Sequence, residues 1–373
     1  MDISVNKSDL SRSISIIQSI VEKRTTMPIL ANVLLSATDG KLKVYASDLE
    51  ITAVSSVNAS INSPGSTTVS AKVFGDLVKE LPEGEIRLKI GEGERLEITT
   101  QKSKFKIIGV SAEEYPSLPG VAFKVKGKID PATFLDMINK TLYAVSQDET
   151  RFNLNGVCCE FDQNKKNKTM TMVATDGHRL SIISRSIKDF SFGQRVIIPR
   201  KGLNEIKKII ELDKDSEIGI DINEGFLIVE SKDFKISMRL IDAEYPDYNQ
   251  VIPKQKGIMA EVSTEEFIKA LRRVALMVTD KGKGVRLDFS KDQLRITSSS
   301  PELGEASEEL AVKFSGKQTG VGFNAKYLLD FAASIQEKQN LIIELNGELG
   351  PGKIYGENDE SYFGIVMPMR LSS

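Results

Sequence analysis

The sequence predicts an α+β fold of three similar domains, each with two helices packed on antiparallel sheets. The chain has 373 residues, and chains of that length usually form more than one domain because a single hydrophobic core stops growing at a smaller size. A tyrosine–proline mark recurs, as AEEYPSLP at 112–119 and as DAEYPDYNQVIP at 242–253, and VMPM places Pro368 at a third such position. Helix-like and strand-like runs precede each mark in the same order, which indicates an internal repeat.

Two helices are predicted in each repeat. The first opens each repeat with a hydroxyl or acidic residue followed by apolar residues at three and four spacing, as in amphipathic helices. Pro131 occurs where the first helical turn tolerates proline. The second helix follows after the strands. In chain order the predicted helices are KSDLSRSISIIQSIV, VFGDLVKEL, IDPATFLDMINKTLYAV, GLNEIKKIIEL, VSTEEFIKALRRVALMV and AKYLLDFAASI.

Alternating apolar and polar residues predict strands between and after these helices. The central strands are KLKVYASDLEITAVSSV, MTMVATDGHRLSIISRSI and GVRLDFSKDQLRITSSS, and strand pairs such as EIGIDI with FKISMRL precede the tyrosine–proline marks. Each repeat therefore has the size of an ordinary domain. The predicted domains are 1–124, 125–255 and 256–373.

Composition favours a cytoplasmic globular protein. Hydrophobic residues make up 40% and charged residues 27% of the chain, values typical of globular proteins, and the sequence has no apolar run of the roughly 18 residues that a membrane helix needs. The N-terminal MDISVNKSDL does not resemble a signal peptide. Cys158 and Cys159 are neighbours in a predicted strand, so they point to opposite faces and a disulfide between them is disfavoured.

The charged and metal-binding residues exclude several function classes. The net charge of −2, from 50 basic and 52 acidic residues, is unlike that of proteins that coat nucleic acid, so any DNA contact requires local basic patches. One histidine and two adjacent cysteines do not supply a zinc site. The sequence has no glycine-rich phosphate loop of the Walker or Rossmann type. We therefore expect neither a metal nor a cofactor.

ATDGHRLS, at 174–181, contains the only histidine in the chain. Asp176, His178 and Ser181 would form a nucleophilic triad if the protein were a hydrolase. However, Asp-Gly is a strong turn signal, and a triad needs its nucleophile and base on elements that bring them within hydrogen-bond reach. We favour a turn that forms the wall of a binding site, with the hydrolase as the alternative.

RTTMPIL, RFNLNGV, ATDGHRLS, IPRKGL, EYPDY and the C-terminal VMPMRL occur with an order and spacing that closely resemble those of the bacterial DNA polymerase III beta subunit family, the sliding clamps. The resemblance covers the whole chain. It implies the DNA clamp fold, a head-to-tail homodimeric ring of six similar domains with helices lining the hole. It also implies a non-catalytic processivity factor that encircles duplex DNA and tethers the replicative polymerase.

A sliding ring holds DNA through salt-sensitive phosphate contacts and not through base contacts. Basic residues do occur on most of the predicted helices, although any one of them also fits an ordinary solvated helix face. Where the family has an aromatic pair after the arginine that Arg151 matches, this chain has Phe152 and Asn153. The DNA-contacting residues implied by the resemblance are Arg24, Lys72, Arg151, Phe152, Arg200 and Lys201.

The resemblance also implies a peptide-binding groove that is mostly apolar, with adaptable methionines and a polar rim of His and Arg. Gln250 differs from the arginine of some family members. A buried edge strand is the alternative for the segment from Met367 to Leu371. The groove residues are Leu154, Thr175, Gly177, His178, Arg179, Leu180, Pro246, Val251, Val366, Met367, Pro368, Met369, Arg370 and Leu371, with Asn324 and Tyr327 in a neighbouring subsite.

The dimer interface is expected between the edge strand that contains Phe105 and Ile107 and the region of Leu276 and Met277. Lysines 102, 104 and 106 flank the first element, and glutamates 302, 305, 308 and 309 cluster near the second, so the two surfaces have opposite charge. The implied partners are duplex DNA, a second copy, the DNA polymerase III alpha subunit, the clamp loader complex, and other DNA polymerases and repair proteins that carry linear peptide motifs. A membrane is not among them. A ring that regulates replication is a further alternative.

Overall fold

The structure is a computed structural model that describes residues 1–21, 27–118, 124–162, 168–187, 195–212, 216–279, 284–335 and 338–370. The described residues contain six α-helices and 26 strands. Each strand pairing among them is antiparallel, and all six predicted helices are confirmed. None of the described helices has both the length and the apolar character needed to cross a membrane.

The helices are α1 Lys7–Ile17, α2 Ala71–Glu80, α3 Pro131–Leu142, α4 Arg200–Leu212, α5 Thr264–Val274 and α6 Ala325–Ala332. Short 3-10 helices are Pro28–Ala31, Glu92–Glu94, Ala112–Glu114, Phe152–Leu154, Tyr248–Val251 and Ala275–Met277. The strands are β1 Asp2–Asn6, β2 Asn32–Thr38, β3 Lys41–Ser47, β4 Ile51–Ser63, β5 Gly65–Ser70, β6 Glu85–Ile90, β7 Leu96–Thr99, β8 Lys104–Ile107, β9 Gly109–Val110, β10 Gly127–Ile129, β11 Gly156–Asp162, β12 Thr169–Thr175, β13 Arg179–Ser186, β14 Arg195–Pro199, β15 Ile218–Asn223, β16 Phe226–Glu230, β17 Phe234–Arg239, β18 Ile258–Ser263, β19 Gly284–Ser290, β20 Gln293–Ser300, β21 Gly304–Ala311, β22 Lys313–Phe314, β23 Thr319–Asn324, β24 Asn340–Leu345, β25 Gly352–Gly356 and β26 Asp359–Val366.

Polar side chains begin five of the helices. Asp130 and Ser263 are of the acidic and hydroxyl type that the sequence predicts for the first helix of a repeat, whereas α1 begins at the amide Asn6. Asn6, Ser70, Asp130, Ser263 and Asn324 each accept a hydrogen bond from a backbone N–H in the first helical turn. These bonds satisfy donors that have no partner within the helix.

The described strands form sheets of 13, nine and four strands, and the chain groups into two compact units. The first unit, mainly Met1–Phe134 and Lys201–Leu240, holds the 13-stranded sheet, in which β17 pairs with β4 and places Ile236 opposite Ala53. The second unit, mainly Leu135–Ser186, Gly193–Arg200 and Ile241–Ser373, holds the other two sheets. In its nine-stranded sheet, β13 pairs with β26. Strands of the central repeat thus extend sheets of the first and the last repeat.

The internal repeat is visible in equivalent hairpin turns. In the turn between β3 and β4, the Asp48 carboxylate accepts hydrogen bonds from the N–H groups of Glu50, at 2.9 Å, and Ile51, at 2.6 Å. Asp176 accepts bonds from residues at the same spacing, between β12 and β13. The residue after each aspartate has a positive φ, 76° at Leu49 and 89° at Gly177. Only the central repeat has a glycine there, the residue type for which this conformation is unstrained.

Cys158 and Cys159 are free and fully buried in β11, as strand alternation predicts. Burial raises the pKa of Cys158 from 9.0 to about 11, even though Arg195 beside it acts in the opposite direction. Burial also raises the pKa of Cys159 well above its ordinary value. The native state therefore favours the neutral thiols.

We predict that Asp48→Ala lowers the free energy of unfolding by about 1 to 3 kcal/mol, because two N–H groups lose their acceptor. Asp48→Asn should lower it by less than about 1 kcal/mol, since the amide oxygen still accepts these bonds and only the ion pair with the half-exposed Lys201 is lost. Urea unfolding of the three proteins tests this. Equal losses in both variants would show that the turn bonds do not stabilise the hairpin.

We also predict that stability falls as pH rises from about 9 toward about 11, the range bounded by the ordinary and the native pKa of Cys158. In this range the unfolded state binds fewer protons than the native state, so the free energy of unfolding decreases with pH. Cys158→Ala should show a shallower decrease, measured by urea unfolding at several pH values. Parallel curves for the two proteins would contradict the proposed role of this thiol.

Candidate functional site

ATDGHRLS forms the end of the β12–β13 hairpin, and the turn interpretation is confirmed. Asp176 binds the backbone N–H groups of His178, at 2.9 Å, and Arg179, at 3.0 Å. Ser181 is fully buried, and its hydroxyl donates to the Lys140 carbonyl at 2.5 Å. The triad interpretation is wrong, because the serine and the aspartate are each bonded to groups other than the His178 side chain.

Arg179 is the buried centre of the site and is 8% exposed. Its guanidinium binds the carboxylates of Asp176, at 3.1 Å, and Asp330, at 2.6 Å, and donates to the Tyr143 carbonyl at 2.5 Å. It also stacks over the Tyr327 ring, 4.5 Å from the centroid. The expectation that Arg179 lies on the polar rim is wrong, since these partners satisfy its charge inside the wall.

An apolar cluster forms the floor beside this wall. Its buried members are Leu154, Cys158, Val173, Leu180, Ile182, Ile197, Tyr245 and Ile365. Residues 241–252, here called the covering loop, pack against it through Ile241, Ala243, Tyr248 and Ile252. Val251 remains 41% exposed and Met367 39% exposed, while Pro246 and His178 are also exposed. We call this cluster, together with these exposed side chains, the candidate groove.

The segment after β26 leaves the sheet and contacts the hairpin. The Met367 N–H donates to the His178 carbonyl at 2.9 Å, and the Met369 N–H donates to the Gly322 carbonyl at 2.8 Å. Val366 is buried, Pro368 and Met369 are half-buried, and Arg370 is exposed. The buried-edge-strand alternative is wrong for Met367–Arg370, because β26 is an internal strand that ends at Val366. Leu371 lies outside the described residues.

Arg195 anchors the covering loop. Its guanidinium lies 3.1 Å from the Glu160 carboxylate and donates to the Pro246 carbonyl at 3.4 Å. It also lies 5.7 Å from the centroid of the Tyr248 ring, whose hydroxyl donates to Glu160 at 2.9 Å. Burial and the Glu160 carboxylate raise the pKa of Tyr248. Sequence reasoning missed this anchor because its members are distant in the chain.

A cavity of about 570 Å³ adjoins the hairpin. Its lining combines acids, bases and apolar residues, so it suits a mixed polar and apolar side chain. Tyr327 and Asn324 are found here, and Asn324 is buried because it caps α6. Thr175 supports the hairpin, since its hydroxyl donates to the Arg179 carbonyl at 2.6 Å. Gln250 lies on the covering loop, where it donates to Asp247 at 3.2 Å.

The proposed DNA-contacting residues within the described part are exposed. Arg151 lines the cavity beside His178 and lies 3.7 Å from Asp148. Phe152 is 59% exposed. Lys201 pairs with Asp48 at 2.5 Å. Lys72 lies in the first turn of α2 and Arg200 begins α4, and Arg24 lies outside the described residues.

The predicted interface elements are accessible. β8 lies at an edge of its sheet. Phe105 is 37% exposed and Leu276 is 71% exposed, whereas Ile107 and Met277 are half-buried. Several of the charged residues near these elements form ion pairs within the chain. Lys104 and Lys106 pair with Glu97, Glu308 pairs with Arg273, and Glu309 pairs with Arg295. β21 is a further edge strand that sequence reasoning missed.

Within the described part of the chain, no group of three or more His, Cys, Asp or Glu side chains is arranged to hold a metal ion. The candidate site consists of an apolar floor, a charge-paired wall and an accessible margin. This arrangement is suited to binding an extended chain with apolar side chains.

Comparison with known proteins places this chain in a family. Three family models match in chain order, described as the DNA polymerase III beta subunit N-terminal domain at residues 1–119, central domain at 128–247 and C-terminal domain at 249–370. The beta sliding clamp of Escherichia coli (strain K12) is 32% identical over 373 residues, covering 100% of both chains. That of Chlamydia muridarum is 30% identical, covering 98% of both chains.

Solved structures agree over the whole chain. A sliding clamp from Bartonella birtlesii bound to griselimycin has a TM-score of 0.93 at 29% identity, and one from Caulobacter crescentus has a TM-score of 0.93 at 28% identity. Each comparison covers 100% of both chains. The chain therefore belongs to the DNA polymerase III beta subunit family, the beta sliding clamps, which are non-catalytic processivity subunits with a three-domain clamp fold.

Proposed function

We propose that two copies of this chain join head to tail into a ring that encircles duplex DNA and tethers the replicative DNA polymerase through the groove. The observation that carries this proposal is the groove itself, an apolar floor whose margin at Val251 and Met367 remains accessible. Catalytic chemistry is not needed for this role, in keeping with the bonded state of Ser181 and Asp176.

The groove supports binding of short linear peptides. Apolar side chains entering beside Leu180, Val251 and Met367 would be removed from water, and such burial supplies most of the binding free energy in compact interfaces. The thioethers of Met367 and Met369 adapt to different side chains. We therefore propose as partners the DNA polymerase III alpha subunit, the clamp loader complex, and other polymerases and repair proteins that present linear motifs.

The ring would hold DNA by encircling it, and its basic residues would contact phosphates and not base edges. Exposed basic residues such as Lys72, Arg200 and Lys201 attract phosphates regardless of sequence. Arg24 and Arg151 with its neighbour Phe152 complete the proposed set. Such contacts are weak enough for sliding because each is solvated and exchanges readily.

The ring would close through the exposed face of β8, including Phe105 and Ile107, against Leu276 and Met277 of a second copy. Heterologous contacts of this kind close into a ring only when the rotation between copies permits it. Support comes from the exposure of Phe105 and Leu276. We keep 1–124, 125–255 and 256–373 as the domain boundaries, and we propose a cytoplasmic location.

We predict that Val251→Asp and Met367→Ala each weaken peptide binding by about tenfold or more, because each removes apolar contact at the groove margin. The measurement is fluorescence polarisation with a labelled clamp-binding segment of the organism's DNA polymerase III alpha subunit. Leu349→Ala serves as the control, since this side chain is 76% exposed and is not a groove residue. Unchanged affinity in both groove variants would refute this site.

We predict that retention on DNA is topological. After loading by the ATP-driven loader, the clamp should remain on nicked circular DNA at high salt, where phosphate contacts alone are lost, and should run off once the DNA is linearised. Leu276→Asp should prevent retention, because it places a charge in the proposed interface. Gel filtration of the loaded DNA, with polymerase processivity in parallel, provides the measurement. Equal loss of the clamp from circular and linear DNA would contradict the proposed ring.

A further inference from the structure

We propose that the sheet face formed by β26, β25, β24 and β18 extends the groove and binds the residues of a partner chain that flank its groove-bound segment. This inference rests on the proposed function of the groove. The occupant is an extended segment with apolar side chains and one acidic side chain. The surface is here called the flanking strip, and its central residues are Phe363, Tyr355, Ile342, Met259 and Lys353.

The strand register makes this strip continuous with the groove floor. Residues paired directly across neighbouring strands lie on the same face of the sheet. The residues on the face of Leu180 and Ile182 can therefore be traced from β13 through β26, β25 and β24 to β18. Two parallel rows result. The first is Leu180, Ile365, Lys353, Glu344 and Met259, and the second is Ile182, Phe363, Tyr355, Ile342 and Glu261. Leu180, Ile182 and Ile365, at the start of the rows, belong to the apolar cluster.

The covering loop packs on the apolar cluster, where both rows begin. Phe363 packs against the cluster but is only half-buried. Farther along, Tyr355 and Ile342 are half-buried and Met259 is 45% exposed. The Tyr355 hydroxyl lies 3.5 Å from the Met259 sulfur. An apolar surface beyond the loop and contiguous with a binding groove is typical of an interaction site.

Lys353 gives the strip its charge preference. Its ammonium lies 4.8 Å from the centroid of the Phe363 ring and 5.3 Å from that of the Tyr355 ring. Its cross-strand neighbour Glu344 is 4% exposed, and the Glu344 carboxylate accepts the Gly257 N–H at 2.7 Å. The described residues include no ion pair of Lys353. A partner's carboxylate at this position would therefore meet an available cation above two aromatic rings.

The dimensions set the length of the occupant. Strands in a sheet are about 4.8 Å apart, so the strip from β26 to β18 spans roughly 14 Å. An extended chain advances about 3.3 to 3.6 Å per residue. Four or five residues beyond the groove-bound segment are enough to cover the strip.

The test compares three labelled peptides by fluorescence polarisation with the full chain. The short peptide is the clamp-binding segment of the alpha subunit, and the others carry Leu-Leu-Asp-Phe at its amino or its carboxyl end, so that the aspartate and the first leucine share one face of the extended chain. One extended peptide should bind about tenfold tighter than the short one. Lys353→Glu should remove this gain, and replacing the aspartate of the extension by lysine should restore it. Tyr355→Ala should reduce the gain through lost apolar contact.

The controls separate this inference from the groove itself. All variants should bind the short peptide with unchanged affinity, and Lys338→Glu, a matched charge reversal at an exposed lysine outside the strip, should keep the gain. Two extended peptides that bind no tighter than the short one would overturn the strip while leaving the groove intact. A gain that survives Lys353→Glu would do the same. Failure of the short peptide to bind would overturn the groove and the strip together.

Discussion

Continuous backbone pairing between β13 and β26 is the constraint on which the site depends. This ladder places Leu180 opposite Ile365 and Arg179 opposite Val366, so strands from the central and last repeats share one sheet. Because register alternates side chains between faces, a shift of one residue would remove Leu180 and Ile365 from the floor. The groove thus exists only where two repeats complete the same sheet.

The polar groups around this ladder are paired within the wall. Arg179 engages two carboxylates and a carbonyl, and Tyr143 adds a buried hydroxyl bonded to Ser181 and Tyr362. Burial raises the pKa of Tyr143 to about 12, so this hydroxyl stays protonated at neutral pH. A buried network whose polar groups have hydrogen-bond partners is rigid. Under the proposed function, recognition would be left to the apolar floor and the exposed margin.

The covering loop has the opposite character. It is held by Arg195, Glu160 and Tyr248 through contacts that are partly open to solvent, and it carries the exposed Val251. A fixed wall facing a loop with adaptable contacts suits a site that binds several related peptides in turn. The flanking strip would add selectivity for partner residues outside the shared motif, because the floor has no counterpart of the Lys353 ammonium.

The sequence alone determined the six helices, the three repeats, the Asp-Gly turn and the family, because periodicity, caps and turn residues are local properties of the chain. Motifs at matching spacing also led to the proposed groove residues, whose role in peptide binding stays a prediction. It did not reveal that Arg179 is buried, since its partners Tyr143 and Asp330 are distant in the chain and meet it only after folding. It did not reveal that strands of the central repeat extend sheets of both neighbouring repeats. Pairing between distant strands depends on which edges remain open after each repeat folds, so only the tertiary structure decided it.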